Sequence, residues 1–202
     1  MKVFNRATLR QLGTKVFYVW LFCAPLTAQE PEHLDILPLT SFGQDVAGLG
    51  WYVQNDNVMG GKSEGGFRII SSELVFSGNT NTDGGGFSSI RSQPLKLDLA
   101  GYAGIRLTLK ADGRRYTWAL QTDASWRGRQ ISYWADFDTV PGKINVIDVP
   151  FDNFFPQFRG YKLDGPELNT SKIRGFALYQ YDKTDGPFEL RLISVDAYSA
   201  VQ

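Results

Sequence analysis

Short runs in which apolar and polar residues alternate, each ended by glycine, proline or an Asx residue, leave this chain few folds to adopt. Such runs span Phe67 to Ile70, Leu74 to Phe76, Ile105 to Leu109, Tyr116 to Thr122, Ile131 to Phe137 and Ile144 to Val149. A period of two means strands with one buried face. Ile173 to Tyr181 and Phe188 to Val195 add two more, joined through Asp185-Gly186-Pro187, and no window sustains a helical period. Asp112-Gly113 separates Leu107-Thr108-Leu109 from Tyr116-Thr117-Trp118, which predicts a tight hairpin. Roughly eight to ten strands in one chain predict two packed sheets, an all-β sandwich. The 21 glycines and 14 phenylalanines among 202 residues suit many strands with tight turns, and the length suits one domain with one core.

The first 28 residues read differently. Lys2, Arg6, Arg10 and Lys15 meet no acid before the apolar run from Val16 to Cys23, and a small residue follows at Ala28. This order predicts a cleaved secretory signal over residues 1–28 and an exported protein, periplasmic or secreted. The run is too short to span a bilayer, which takes about 20 apolar residues. A retained amphipathic helix or a mitochondrial presequence would share the composition, and the unbroken apolar run favours secretion. Residues 29–38, acidic and broken by Pro31 and Pro38, read as an exposed lead-in, and residues 39–202 as the sandwich domain.

Composition then removes whole classes of chemistry. The full chain has 21 basic and 21 acidic residues. Losing the four basic residues of the leader gives the mature chain a formal charge of −4, which argues against a nucleic-acid partner. Cys23 lies in the leader and His33, the one histidine, in the lead-in. Neither a Ser-His-Asp nor a Cys-His arrangement can form in the sandwich, and zinc lacks its ligands. No metal or cofactor is expected. Gly61-Lys62-Ser63 invites a phosphate-loop reading, but Asp56 stands where that motif needs its first glycine. Glycines supplying positive φ, with Asn55 or Asp56 capping a turn, explain the segment better. Asp136 and Asp138 are two apart on one strand face. They read as a solvated face, since nothing places a second acid opposite them for a glycosidase, and no loop shows a calcium spacing.

Four segments together resemble the complex I intermediate-associated protein family. They are Trp51 with Asn55-Asp56-Asn57-Val58-Met59-Gly60-Gly61-Lys62-Ser63; Gly85-Gly86-Phe87-Ser88-Ser89-Ile90-Arg91; Asp112-Gly113-Arg114-Arg115-Tyr116; and Val149-Pro150-Phe151 through Phe154, Pro156, Phe158, Arg159 and Gly160. The resemblance covers nearly all of the mature chain. It implies a jelly-roll sandwich of two antiparallel sheets, similar to galactose-binding-like domains, and a non-catalytic role in assembling or stabilising a protein complex. A secretory leader would put the chain outside the compartment where complex I is built, so the fold carries over more safely than the client.

Two binding surfaces follow. A protein client would meet Asp56, Met59, Gly60, Gly61 and Ser63, together with Phe87, Arg91, Arg115, Phe158 and Arg159. Arg91 and Arg159 each end a glycine and aromatic motif, and arginine is seldom buried unpaired. An internal ion pair to Asp56 or Asp112 is therefore expected. The alternative is a carbohydrate-binding face built on Trp118, Trp126 and Trp134, since indole faces stack on sugars. That alternative requires two or more aromatics exposed on one concave face, although neighbours on a strand point to opposite sides and some of this set must be core.

Overall fold

The computed structural model describes residues 35–42 and 49–199. The leader over 1–28, most of the lead-in and His33 lie outside the described residues. Two antiparallel sheets form the sandwich, as the alternation predicts. One has the order β3 (Glu64–Ile70), β4 (Glu73–Thr80), β13 (Gly186–Tyr198), β6 (Gly104–Ala111), β9 (Ile144–Pro150). The 13-residue β13 is long enough to serve two partners on one edge: its first half pairs with β4, and its last five residues pair with β1 (Ile36–Ser41). Pairing thus begins inside the stretch read as an exposed lead-in. The other sheet has the order β11 (Tyr161–Lys162), β10 (Phe155–Phe158), β8 (Arg129–Asp138), β7 (Arg115–Trp126), β12 (Gly175–Gln180), β5 (Ser88–Arg91), β2 (Tyr52–Val53). No helix among the described residues is long and apolar enough to cross a membrane.

The predicted hairpin at Asp112-Gly113 is not one. Gly113 does take a positive φ of 94°, but β6 and β7 belong to different sheets, so the turn carries the chain across the sandwich. The Asp112 carboxylate accepts hydrogen bonds from the Arg114 amide (3.0 Å), the Tyr116 hydroxyl (3.0 Å) and the Glu189 amide (2.9 Å). Arg114 grips Asp182 through two nitrogens, at 2.8 and 2.6 Å, and donates to the carbonyls of Gly186 and Pro187. These bonds lock the β6–β7 crossing to the β12–β13 crossing. Burial, reinforced by the neighbouring Asp112 carboxylate, pushes the Tyr116 phenol well above its ordinary range, so it stays a donor. The true hairpins turn at Ser71-Ser72, Arg127-Gly128 and Arg159-Gly160, each with two successive positive φ values, the backbone that fits the twist of the flanking strands.

Between the sheets, Leu74, Phe76, Leu107, Leu109, Leu190 and Leu192 meet Ile90, Tyr116, Trp118, Leu120, Tyr133 and Phe176. Trp118 is fully buried, edge-on to Trp51 and 5.6 Å from the Phe176 ring. That corrects its assignment to a sugar-binding face. Strand β12 is buried at all six positions, so the outward face of the seven-stranded sheet is also covered at its centre. A Trp118→Ala variant is expected to lose about 3–5 kcal/mol of stability in equilibrium denaturation, the usual cost of deleting a buried indole.

Candidate functional site

The segment from Asn55 to Ser63 owes its shape to one carboxylate. A 3-10 turn over Asp56–Met59 ends on Gly60, whose φ is 86°, the conformation its place in the motif predicts. The Asp56 side chain is completely buried. It accepts hydrogen bonds from the Ser63 amide (2.9 Å), the Ser63 hydroxyl (2.7 Å), the Gly86 amide (2.6 Å) and the Phe87 amide (3.2 Å). The first motif segment is thereby bolted to the second. A Cβ at either Gly61 or Gly85 would overlap the carboxylate, so those glycines are required by close approach rather than by φ. Burial raises the Asp56 pKa, but the four hydrogen bonds outweigh it and hold the group below its ordinary value. Asp56, Gly60, Gly61 and Ser63 therefore build the site from behind, and Asp56 pairs with no arginine among the described residues.

What the loop presents outward are Val58 and Met59, each 62% exposed. They stand on the rim of a cleft of about 640 Å³ on the outward face of the seven-stranded sheet. At the centre of that face Ala119 and Ala177 are paired neighbours, and Trp134 faces Ala119 from β8. The short alanines leave room for Trp134 and Tyr179 to lie across them with ring centres 4.6 Å apart. Phe87 and Tyr181 pack against this pair. A relay fixes the far wall: the Trp134 indole donates to Ser132 Oγ (3.0 Å), the Gln157 amide nitrogen donates to the same oxygen (2.9 Å), and the Gly160 amide donates to Gln157 Oε1 (2.7 Å).

Of the sequence-derived candidates, Met59, Phe87, Arg91, Phe158, Arg159 and Trp134 do line this cleft. Arg115 does not. It lies in an exposed ion pair with Asp138 at 2.8 Å, while Asp136 accepts from Thr117 Oγ1, so both aspartates of β8 belong to a solvated face. Trp126 is outside the lining, packed 6.0 Å from Phe158 with Arg127 4.3 Å from its ring centre. The ion pairs expected for Arg91 and Arg159 are not formed. Arg91 sits 5.3 Å from the centre of the Tyr179 ring with Nε 3.5 Å from Ser89 Oγ, and Arg159 sits 5.5 Å from the Phe158 ring centre. Among the described residues neither has a carboxylate within salt-bridge distance.

Sequence reasoning missed Tyr179, Tyr181, Lys183 and the glutamines Gln54, Gln121, Gln130 and Gln157. The tyrosines were findable, because Ala177, Tyr179 and Tyr181 share one face by alternation. The glutamines carry no pattern. Among the described residues no aspartate or glutamate lines the cleft, and no trio of His, Cys, Asp or Glu gathers anywhere.

Asp56→Asn should cost roughly 1.5–3 kcal/mol, the worth of hydrogen bonds to a charged acceptor. Because the folded pKa lies below the unfolded one, the carboxylate's contribution is complete above about pH 4 and is lost as the pH falls through the folded value. Denaturation curves of the two proteins should accordingly converge on acidification. Gly60→Val should cost at least about 1 kcal/mol by a different route, the penalty of a left-handed backbone, and that loss should persist at low pH.

Solved structures show the same sandwich. A family 11 carbohydrate-binding module from Clostridium thermocellum, in complex with a β-1,3-1,4-mixed-linked tetrasaccharide, superposes with a TM-score of 0.58 at 15% identity, over 83% of this chain and 97% of that one. The solution structure of the module called CtCBM11 gives 0.60 at 16% identity, over 83% and 96%. The agarase AgWH50C gives 0.57 at 15% identity over 82% of this chain, which spans only 24% of the agarase. At such identities these likenesses concern the fold alone. No curated protein matches the chain. Residues 40–192 match the family described as Complex I intermediate-associated protein 30, a span holding all four sequence segments, and the chain belongs to that family.

Proposed function

We propose that the domain is a non-catalytic binding module of the assembly-factor kind, which holds a segment of a client protein in the cleft and so helps a complex to assemble or persist. The observation that carries this reading is the rim. Val58 and Met59, two large apolar side chains each 62% exposed, are held out beside a cleft by a loop that a buried carboxylate makes rigid. Methionine on an exposed rim adapts to varied apolar partners, and a preorganised loop loses little entropy on binding. The family's description as associated with a complex intermediate supports the same direction. The absence of acids among the described lining residues argues against a two-carboxylate hydrolase at this place.

The shared fold of the family 11 module raises the carbohydrate reading. Stacking on sugar needs aromatic faces open to water. Trp134 and Tyr179 are only 7% and 5% exposed and turn toward each other, while Trp118 is internal. The protein-client reading is therefore favoured. The basic and then apolar order of residues 2–23 supports export, which would place the client in the periplasm or outside the cell; a mitochondrial address is the alternative.

The test is co-purification of the full chain after mild crosslinking in its native cells, comparing wild type, a Val58→Asp/Met59→Asp variant and an Ile69→Asp variant. Ile69 is 54% exposed on the other sheet. A stoichiometric protein partner should be retained by Ile69→Asp and lost by the rim variant, with the thermal midpoints of all three within a few degrees. A partner indifferent to the rim, or glycan retained in place of protein, would contradict the reading.

A further inference from the structure

The cations of this protein are distributed unevenly. On the outer surfaces and corners most arginines are matched, among them Arg106 to Asp148 at 2.6 Å, Arg114 to Asp182 at 2.6 Å and Arg115 to Asp138 at 2.8 Å, while Arg127 lies over the Trp126 ring without a salt bridge among the described residues. In the cleft the pattern reverses. Arg91, Arg159 and Lys183 line it, and among the described residues no acid does and none of the three has a salt-bridge partner. Each lies against an aromatic ring instead: Arg91 on Tyr179, Arg159 on Phe158, and Lys183 with Nζ 3.8 Å from the Tyr181 ring centre. Arg129, outside the lining, also stands 5.8 Å from the Phe158 ring centre. A ring face orients a cation without neutralising it, so several uncompensated positive charges converge on one concavity.

Two of these cations also occupy backbone that disfavours them. Arg159 has φ 51° and Lys183 φ 61°. Arg159 opens the two-residue turn between the paired Phe158 and Tyr161, where asparagine would fit with less strain. Strain of this sort recurs at binding sites, and the Arg127 hairpin turn, outside the cleft, shares the geometry of Arg159.

We propose that the cleft takes an acidic polypeptide segment, one that carries aspartate or glutamate among aliphatic side chains; this rests on the protein-client reading above. The carboxylates meet Arg91, Arg159 and Lys183, and the aliphatic groups meet Val58, Met59 and Phe87. The lining glutamines offer both donor and acceptor to an extended backbone. An acidic polysaccharide would satisfy the charge but would find the central rings, Trp134 and Tyr179, buried against each other.

The experiment is fluorescence anisotropy with three labelled ten-residue peptides on one Leu/Ala/Ser frame, bearing four Glu, four Gln or four Lys, and with an oligogalacturonate. The glutamate peptide should bind at least about ten-fold more tightly than the glutamine peptide at low salt, from about two- to five-fold per exposed charge pair. The advantage should shrink at high salt. Arg91→Gln combined with Arg159→Asn and Lys183→Gln should erase it, while Arg159→Asn alone weakens binding with an unchanged or higher thermal midpoint. Equal binding of the glutamate and glutamine peptides, abolished by Met59→Asp, would overturn the charge inference and leave the client reading standing. Binding of the oligogalacturonate with no peptide bound at millimolar concentration would overturn both.

Discussion

A buried carboxylate without a counter-cation is stable only if donors surround it, and the geometry around Asp56 follows from that requirement. Four hydrogen bonds converge on it from two places in the chain, Ser63 and the Gly86-Phe87 pair. Three of the four donors are backbone amides, so the carboxylate fixes main chain rather than side chains. Gly61 and Gly85 must lack a Cβ because the backbone closes to contact on both sides. The Asp-x-x-Met-Gly-Gly-x-Ser segment and the Gly-Gly-Phe segment are thus two halves of one joint. Since Phe87 leaves this joint into β5 and Val58 and Met59 precede its glycine turn, the joint sets one side of the cleft.

The other sides follow from the sheet itself. Because β12 lies between β7 and β5, its outward residues can be covered only by side chains of neighbouring strands or by loops. Alanine at 119 and 177 leaves the centre low, and the large rings of Trp134 and Tyr179 fill it from the sides. These rings form the floor, and cations at the walls turn an otherwise amide-rich and aromatic surface electropositive. A chain with equal numbers of acids and bases therefore presents a locally biased site, which net charge alone would not reveal.

Alternation exposed most of the strands to sequence reading because each long strand has one face on a common core. Of the strands that escaped it, β2, β5, β10 and β11 are two to four residues long, too short for a period to register, while the six-residue β1 holds Pro38, which read as a breaker and sits where its register shifts. The Asp-Gly turn misled for a physical reason: it dictates local φ but not where the following strand pairs, and that was decided by the contacts of Asp112 and Arg114 with the β12–β13 crossing. Tryptophan roles depended on register in the same way. Trp118 pairs with Ala135 and so shares its inward face, which leaves Trp134 outward. No single-strand pattern contains that information. The glycine motifs were legible as turns, but the carboxylate they enclose was expected to pair with an arginine; its partners are the Ser63 hydroxyl and three backbone amides, which nearly every residue type supplies and no side-chain pattern marks.

The Asp56 carboxylate physically sets the cleft rim, and a single NMR acid titration tests this. The amide protons of Ser63, Gly86 and Phe87 and the side-chain methyls of Val58 and Met59 would be followed together. The account predicts that all five report one common midpoint, below the ordinary aspartate value of about 3.9, with the amides shifting most. Amides that titrate at the ordinary value, or rim methyls that stay still while the amides move, would show that the carboxylate does not hold the rim.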